Sequence, residues 1–169
     1  MKKNIFYALA VIFLMLACKN KPEPESNIKI DKVADDAYLK DVVGDVNDKE
    51  LKVNNAEAII KHWNDKLKEE NIGVVLTEID IVKTKPEGNP NTYYILVAKT
   101  EDKKTKVSVF LALKEDKLYF EMQDNKRLSL SICQGCIDGC NPGVSMHEGV
   151  MSIVCSPCLE CMKGSVEVY

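Results

Sequence analysis

Apolar residues Ala56, Ile59, Ile60, Trp63 and Leu67 recur at three- and four-residue intervals. On a 3.6-residue wheel they form one stripe, the signature of an amphipathic helix. Asn54 or Asn55 offers a cap at its start, with Glu57 three residues after Asn54, and Glu57 and Lys61 stand at the supporting four-residue spacing. Asn71 and Gly73 mark the stop. Trp63 lies on the stripe and is expected to anchor a core, because large apolar residues at helical spacing usually face inward. His62 lies off the stripe and reads as a surface histidine.

After the helix the period changes from 3.6 to 2. "VVLTEIDIVK", "YYILVAK", "KVSVFLALK", "LYFEM" and "LSLSI" are short runs rich in β-branched and aromatic residues, separated by "TKPEGNPN", "TEDKKT", "EDK" and "QDNKR". Leu118, Phe120 and Met122, then Leu128, Leu130 and Ile132, alternate with polar or amphipathic residues, which predicts one buried face and one wet face. The run at 93–98 is apolar on both sides and suits a central strand, or one covered by the N-terminal segment. Connections this short join antiparallel neighbours. The expected fold of residues 53–132 is therefore α+β, one helix packed on a four- to five-stranded antiparallel meander, followed by a small Cys-rich C-terminal module at 133–169. This order of elements resembles a cystatin-like layout. The Gln-x-Val-x-Gly loop of the cystatin protease inhibitors has no counterpart here, so the resemblance implies nothing about inhibition.

The chain begins "MKKNIFYALAVIFLMLAC", with Lys2 and Lys3 followed by an uncharged run from Ile5 to Leu16 and a small residue before Cys18. That is the layout of a signal peptide, and its twelve apolar residues fall short of the ~20 needed for a membrane span. Met15, Leu16, Ala17 and Cys18 resemble the lipobox of bacterial lipoproteins, although Leu16 is larger than usual at its position. The resemblance implies that residues 1–17 are removed and that Cys18 becomes an acylated N-terminus, which buries about 0.8 kcal/mol per methylene in the membrane. Residues 18–52 are expected to form the lipidated cysteine and a polar tether, starting with "KNKPEPES". Within it, Tyr38, Leu39, Val42 and Val43 could form a short packed element. Lys19 directly after Cys18 is compatible with outer-membrane sorting, by the same resemblance.

Loss of Lys2 and Lys3 from the 23 basic residues leaves 21 against 26 acidic ones, a formal charge of −5. A weakly acidic chain with no basic run argues against nucleic acid as a partner.

Six of the seven cysteines fall within the 29 residues from Cys133 to Cys161, after 114 residues with none. Three chemistries compete for them. Cys133 and Cys136, with Cys155 and Cys158, form two C-x2-C pairs at zinc-ribbon spacing, and Cys140, Cys161 and His147 could supply alternatives. Pieces of the spacing echo an iron-sulfur run, but in reverse order and without a full four-cysteine set. With Cys18 taken by lipid, Cys133, Cys136, Cys140, Cys155, Cys158 and Cys161 make an even set, as expected for disulfides in an exported domain. Disulfides are favoured, because exposed thiols outside the cytosol are oxidised and because the glycine-rich segment has few large apolar residues for a core of its own. Six cysteines allow fifteen pairings, and spacing does not choose among them.

Catalytic constellations do not emerge from the sequence. Neither "CQGC" nor "CSPC" follows a thioredoxin-like βαβ unit, and His147 with Glu148 lacks the second histidine of H-E-x-x-H. The expected function is thus a non-enzymatic, lipid-anchored envelope protein, without a cofactor, that binds the membrane through its anchor and another protein or cell-envelope component through its domain. The alternative is a periplasmic zinc-binding or thiol-disulfide redox protein that uses Cys133, Cys136, Cys155 and Cys158.

Overall fold

The computed structural model describes residues 38–46, 50–122 and 127–168, all within one compact unit. Residues 1–17, read as a signal peptide, Cys18 and most of the stretch read as a tether lie outside the described residues. A short 3-10 helix at Tyr38–Lys40 leads to β1 (Gly44–Val46) and β2 (Leu51–Val53), and then to α1 (Ala56–Glu69). Seven further strands form β3 (Leu76–Thr84), β4 (Tyr93–Thr100), β5 (Thr105–Lys114), β6 (Lys117–Phe120), β7 (Ser129–Gln134), β8 (Pro142–His147) and β9 (Val150–Cys155). The last strand is β10 (Met162–Glu167).

Half of the described residues are strand and the one described α-helix has fourteen residues, which overturns the α+β expectation in favour of a mostly β fold. Eight strands make one antiparallel sheet, and β8 and β9 form a separate hairpin. The five anticipated strands are present, but they do not make a simple meander. Ten-residue β5 pairs with β4 along one edge, while its other edge is shared: Thr105–Ser108 bond to β7 and Leu111–Lys114 bond to β6. On β6 follow β1 and β2, which curl back until β2 packs against β3. Among the described residues no ladder joins β2 to β3, so the barrel-like sheet is nearly closed rather than closed.

The parts of the sequence read as tether supply this closure. Leu39 and Val43 are buried in the main core, and β1 and β2 extend the sheet before the helix begins. Gly44 makes the approach possible: a Cβ there would lie 2.4 Å from Ile81 Cδ1 on β3 and 2.6 Å from the Lys52 carbonyl oxygen on β2.

Helix α1 buries Ile59, Trp63 and Leu67 against the inner face of the sheet, as its stripe predicts. Trp63 is fully buried, with its ring centroid 6.5 Å from that of Phe120, and its indole N–H has no acceptor. Leaving such a donor unpaired costs on the order of 1–3 kcal/mol, which the burial of the ring must outweigh. The start of the helix differs from expectation. Asn55 occupies the cap position in the left-handed region, φ 53°, and its side chain makes no capping bond; the Asn54 side chain is turned toward Val42 and Asp45. Lys61 pairs forward with Asp65 at 2.7 Å, on an exposed face where such pairs contribute little. The stop falls where predicted: Asn71 at φ 58° donates to the Lys68 carbonyl and Ile72 donates to the Leu67 carbonyl, the two bonds of a Schellman ending.

Asn64 fixes the register between helix and sheet. Its amide nitrogen donates to Leu76 O at 3.0 Å and its oxygen accepts from Leu76 N at 2.8 Å, so the side chain acts as a strand partner at the start of β3. The ladder from β3 to β4 is irregular between Leu76 and Glu78, next to this clamp.

Two substitutions probe this arrangement. Gly44→Ala should lower stability by about 1–3 kcal/mol, because the backbone carbonyl of Lys52 cannot move aside as a side chain would; an unchanged urea midpoint would show that β1 is not wedged there. Asn64→Ala leaves both backbone groups of Leu76 without their partner and should cost ~1–3 kcal/mol by the same measurement.

Candidate functional site

Strand β4 is buried on both faces. Tyr94, Leu96 and Ala98 face the main core, while Ile95 and Val97 belong to a second apolar cluster with Val144 of β8 and Ile153 of β9. The two-sided apolar run at 93–98 is a central strand between β3 and β5, as expected, but its second face is covered by the cysteine-rich C-terminal hairpin and not by the N-terminal segment. The C-terminal region is not an appended module: β7 and β10 pair with one another as part of the main sheet, and the β8–β9 hairpin is inserted between them and folded across the outer face. Its turn has only Glu148 and Gly149, at φ 51° and 80°, the geometry of a type I′ hairpin.

Each arm of that insertion carries three cysteines, and they bridge in order. Cys133 joins Cys155, Cys136 joins Cys158 and Cys140 joins Cys161, with Cα–Cα distances of 5.6, 6.4 and 5.2 Å. Four buried side chains make a small core, so the hairpin needs this covalent support. One bridge across 22 residues restricts the unfolded chain by about 3 kcal/mol in the chain-entropy account. The next two close only the short rungs between neighbouring bridges, so their contributions to stability are smaller than the first. Backbone bonds brace the same arms, with Ser156 N donating to Asn141 O at 2.8 Å and Asn141 N to Ser156 Oγ at 2.9 Å.

Two lysines complete the site, and sequence reasoning missed both. In the ladder Lys106 of β5 and Lys163 of β10 stand opposite Cys133 of β7, on either side of it. Lys106 is buried and its ammonium donates to Ile137 O at 3.1 Å and Gly139 O at 2.8 Å, which pins the loop between Cys136 and Cys140 to the sheet. Lys163 donates to Ile153 O and so ties β9 down in the same way. Burial holds the pKa of Lys106 below the usual lysine value; Lys99, opposite it on β4, pushes the same way, and Asp138 opposes them. The run that forms β5 was visible in the sequence, but a lysine within it shows its use only when the carbonyls above it are placed.

The zinc reading finds no ligand set here. Cys133, Cys136, Cys155 and Cys158 belong to two separate disulfides, whose sulfurs are not thiolates. The sulfurs that cluster, Cys140, Cys155 and Cys161 within 4.8 Å of one another, come from two bridges in contact. His147 lies 4.0 Å from Glu148 at the hairpin tip, with both side chains exposed, and His62 is half-buried on α1 beside Trp63. Exposed apolar residues lie along the stapled region, including Ile137, Val150, Leu159 and Met162. Three disulfides in one domain place it in an oxidising, extracellular or periplasmic location. Among the described residues no helix is long and apolar enough to cross a membrane.

No protein-family model, curated protein or solved structure matches the chain.

Peptide mapping without reductant should recover the three pairs 133–155, 136–158 and 140–161; any other pairing contradicts the in-order bridging of the two arms. The unfolded chain keeps the Lys106 proton to higher pH than the folded one, so this site makes stability rise as pH climbs toward 10.5. Denaturation of wild type and Lys106→Met across the alkaline range should show that slope in the former and its loss in the latter.

Proposed function

We propose that the chain is an exported lipoprotein of the bacterial envelope, anchored through acylated Cys18 and acting by binding rather than by catalysis. The observation that carries the reading is the combination of a lipobox-like start with three bridges in the domain that follows it. A domain built around disulfides requires export, and a signal ending at Cys18 supplies both the export route and the anchor. The tether that follows holds the domain off the lipid surface, and Lys19 favours the outer membrane as its destination.

Binding, to another protein or a cell-envelope component, is supported by the nature of the cysteine region. With its sulfurs in bridges, the region offers neither a thiolate nucleophile nor a metal ligand set. It offers instead a rigid β surface with apolar side chains exposed at its rim.

Growth with labelled palmitate tests the anchor. The wild-type protein should be labelled and sediment with outer membranes on a density gradient. Cys18→Ser should abolish the label and release the protein from membranes. An unlabelled, soluble wild-type protein would end the proposal.

A further inference from the structure

The three bridges are not equivalent. Cys133–Cys155 and Cys140–Cys161 each have one fully buried cysteine, Cys133 and Cys140. Their sulfurs also shield one another, since the sulfur of Cys155 lies within 4.8 Å of those of both Cys140 and Cys161. The ammonium groups of Lys106 and Lys163, on either side of Cys133, are engaged with carbonyl oxygens of the hairpin and its loops.

Cys136–Cys158 differs in burial and in sulfur shielding. Neither cysteine is fully buried, and the pair is not part of the sulfur cluster. Its chain neighbours Ile137 and Leu159 are 51% and 102% exposed, so the half-buried bridge borders an exposed apolar rim, with Gly139 packed against it. Its two sulfurs are also chemically unequal. The backbone N–H of Cys136 donates to Cys158 Sγ at 3.4 Å, and a hydrogen bond to sulfur stabilises the thiolate over the thiol. Cys158 is therefore the better leaving group, and Cys136 the sulfur to be attacked.

We infer that Cys136–Cys158 is an exchangeable disulfide that reacts with a protein dithiol, while the other two bridges hold the fold. The first thiolate of the dithiol attacks Cys136 Sγ; a new S–S bond forms to Cys136, the Cys136–Cys158 bond breaks, and Cys158 leaves as a thiolate. The second thiolate of the dithiol then attacks its own partner sulfur and releases Cys136 as a thiolate. The dithiol is thereby oxidised to a disulfide by two electrons, and the Cys136–Cys158 pair is reduced by two. Opening releases the loop at Leu159 from the loop at Ile137, which Lys106 still holds to the sheet, so the apolar rim changes shape with redox state while the rungs on either side remain closed. The inference does not depend on acylation of Cys18.

The test uses the intact, purified protein and two thiol probes. With graded dithiothreitol followed by alkylation, the first two labels should fall on Cys136 and Cys158, at a rate at least about tenfold above that of the remaining cysteines, because both alternatives have a buried sulfur. With the monothiol glutathione, the mixed disulfide should map to Cys136, with Cys158 free for alkylation. First labelling at 133–155 or 140–161, or simultaneous opening of all three bridges, would overturn the inference. A glutathione adduct on Cys158 in place of Cys136 would overturn the assignment of the leaving group. The double variant Cys136→Ser, Cys158→Ser keeps the two flanking bridges and should show no fast-labelling pair; fast labelling that persists in it would also count against the inference.

Discussion

Burial of β4 on both faces is the constraint on which the rest of the molecule depends. A sheet exposed on one side would leave Ile95 and Val97 in water, at a cost of about 25 cal/mol for each Å² of apolar surface. The inner face is covered by the curled sheet and by α1, whose Trp63 and Leu67 reach into the main core. The outer face is covered by the β8–β9 hairpin, and the cysteine-rich region exists in its folded form to deliver that hairpin.

The hairpin contributes only Val144 and Ile153 to the second core. Its apolar gain is too small to hold two long arms against their conformational entropy, so other interactions fix it in place. The disulfide ladder joins the arms to each other, and Lys106 and Lys163 join the hairpin and its loops to the sheet below. A buried ammonium with two carbonyl acceptors is a directional clamp, which apolar contact would not be. The cost of that clamp appears in the lowered pKa of Lys106, set chiefly by its burial. The division of labour also leaves one bridge, Cys136–Cys158, at the rim and largely outside the packing that the other two support.

Local patterns were legible wherever one element decides its own structure. The stripe of α1, the positions of β3 to β7, the Asn71 ending and the central place of residues 93–98 all follow from side-chain period and turn chemistry, whereas the hairpin that covers their outer face was not anticipated. The α+β expectation failed because β1 and β2 are three-residue strands in a polar stretch, and strands that short gain their stability from partners distant in sequence. The missing side chain at Gly44 is a closure device that becomes visible only when Ile81 is beside it. In the same way β8 and β10 carry little apolar pattern of their own.

The sequence by itself determined the helix, the central strands and an even set of six cysteines in a segment too poor in apolar residues to fold unaided, because these depend on composition and on spacing along the chain. Tertiary structure alone decided that the sheet curls into a near barrel and that the cysteines pair arm to arm. It also placed two lysines on either side of Cys133, because these depend on which strands meet across the sheet, a matter of long-range contact that no local period encodes.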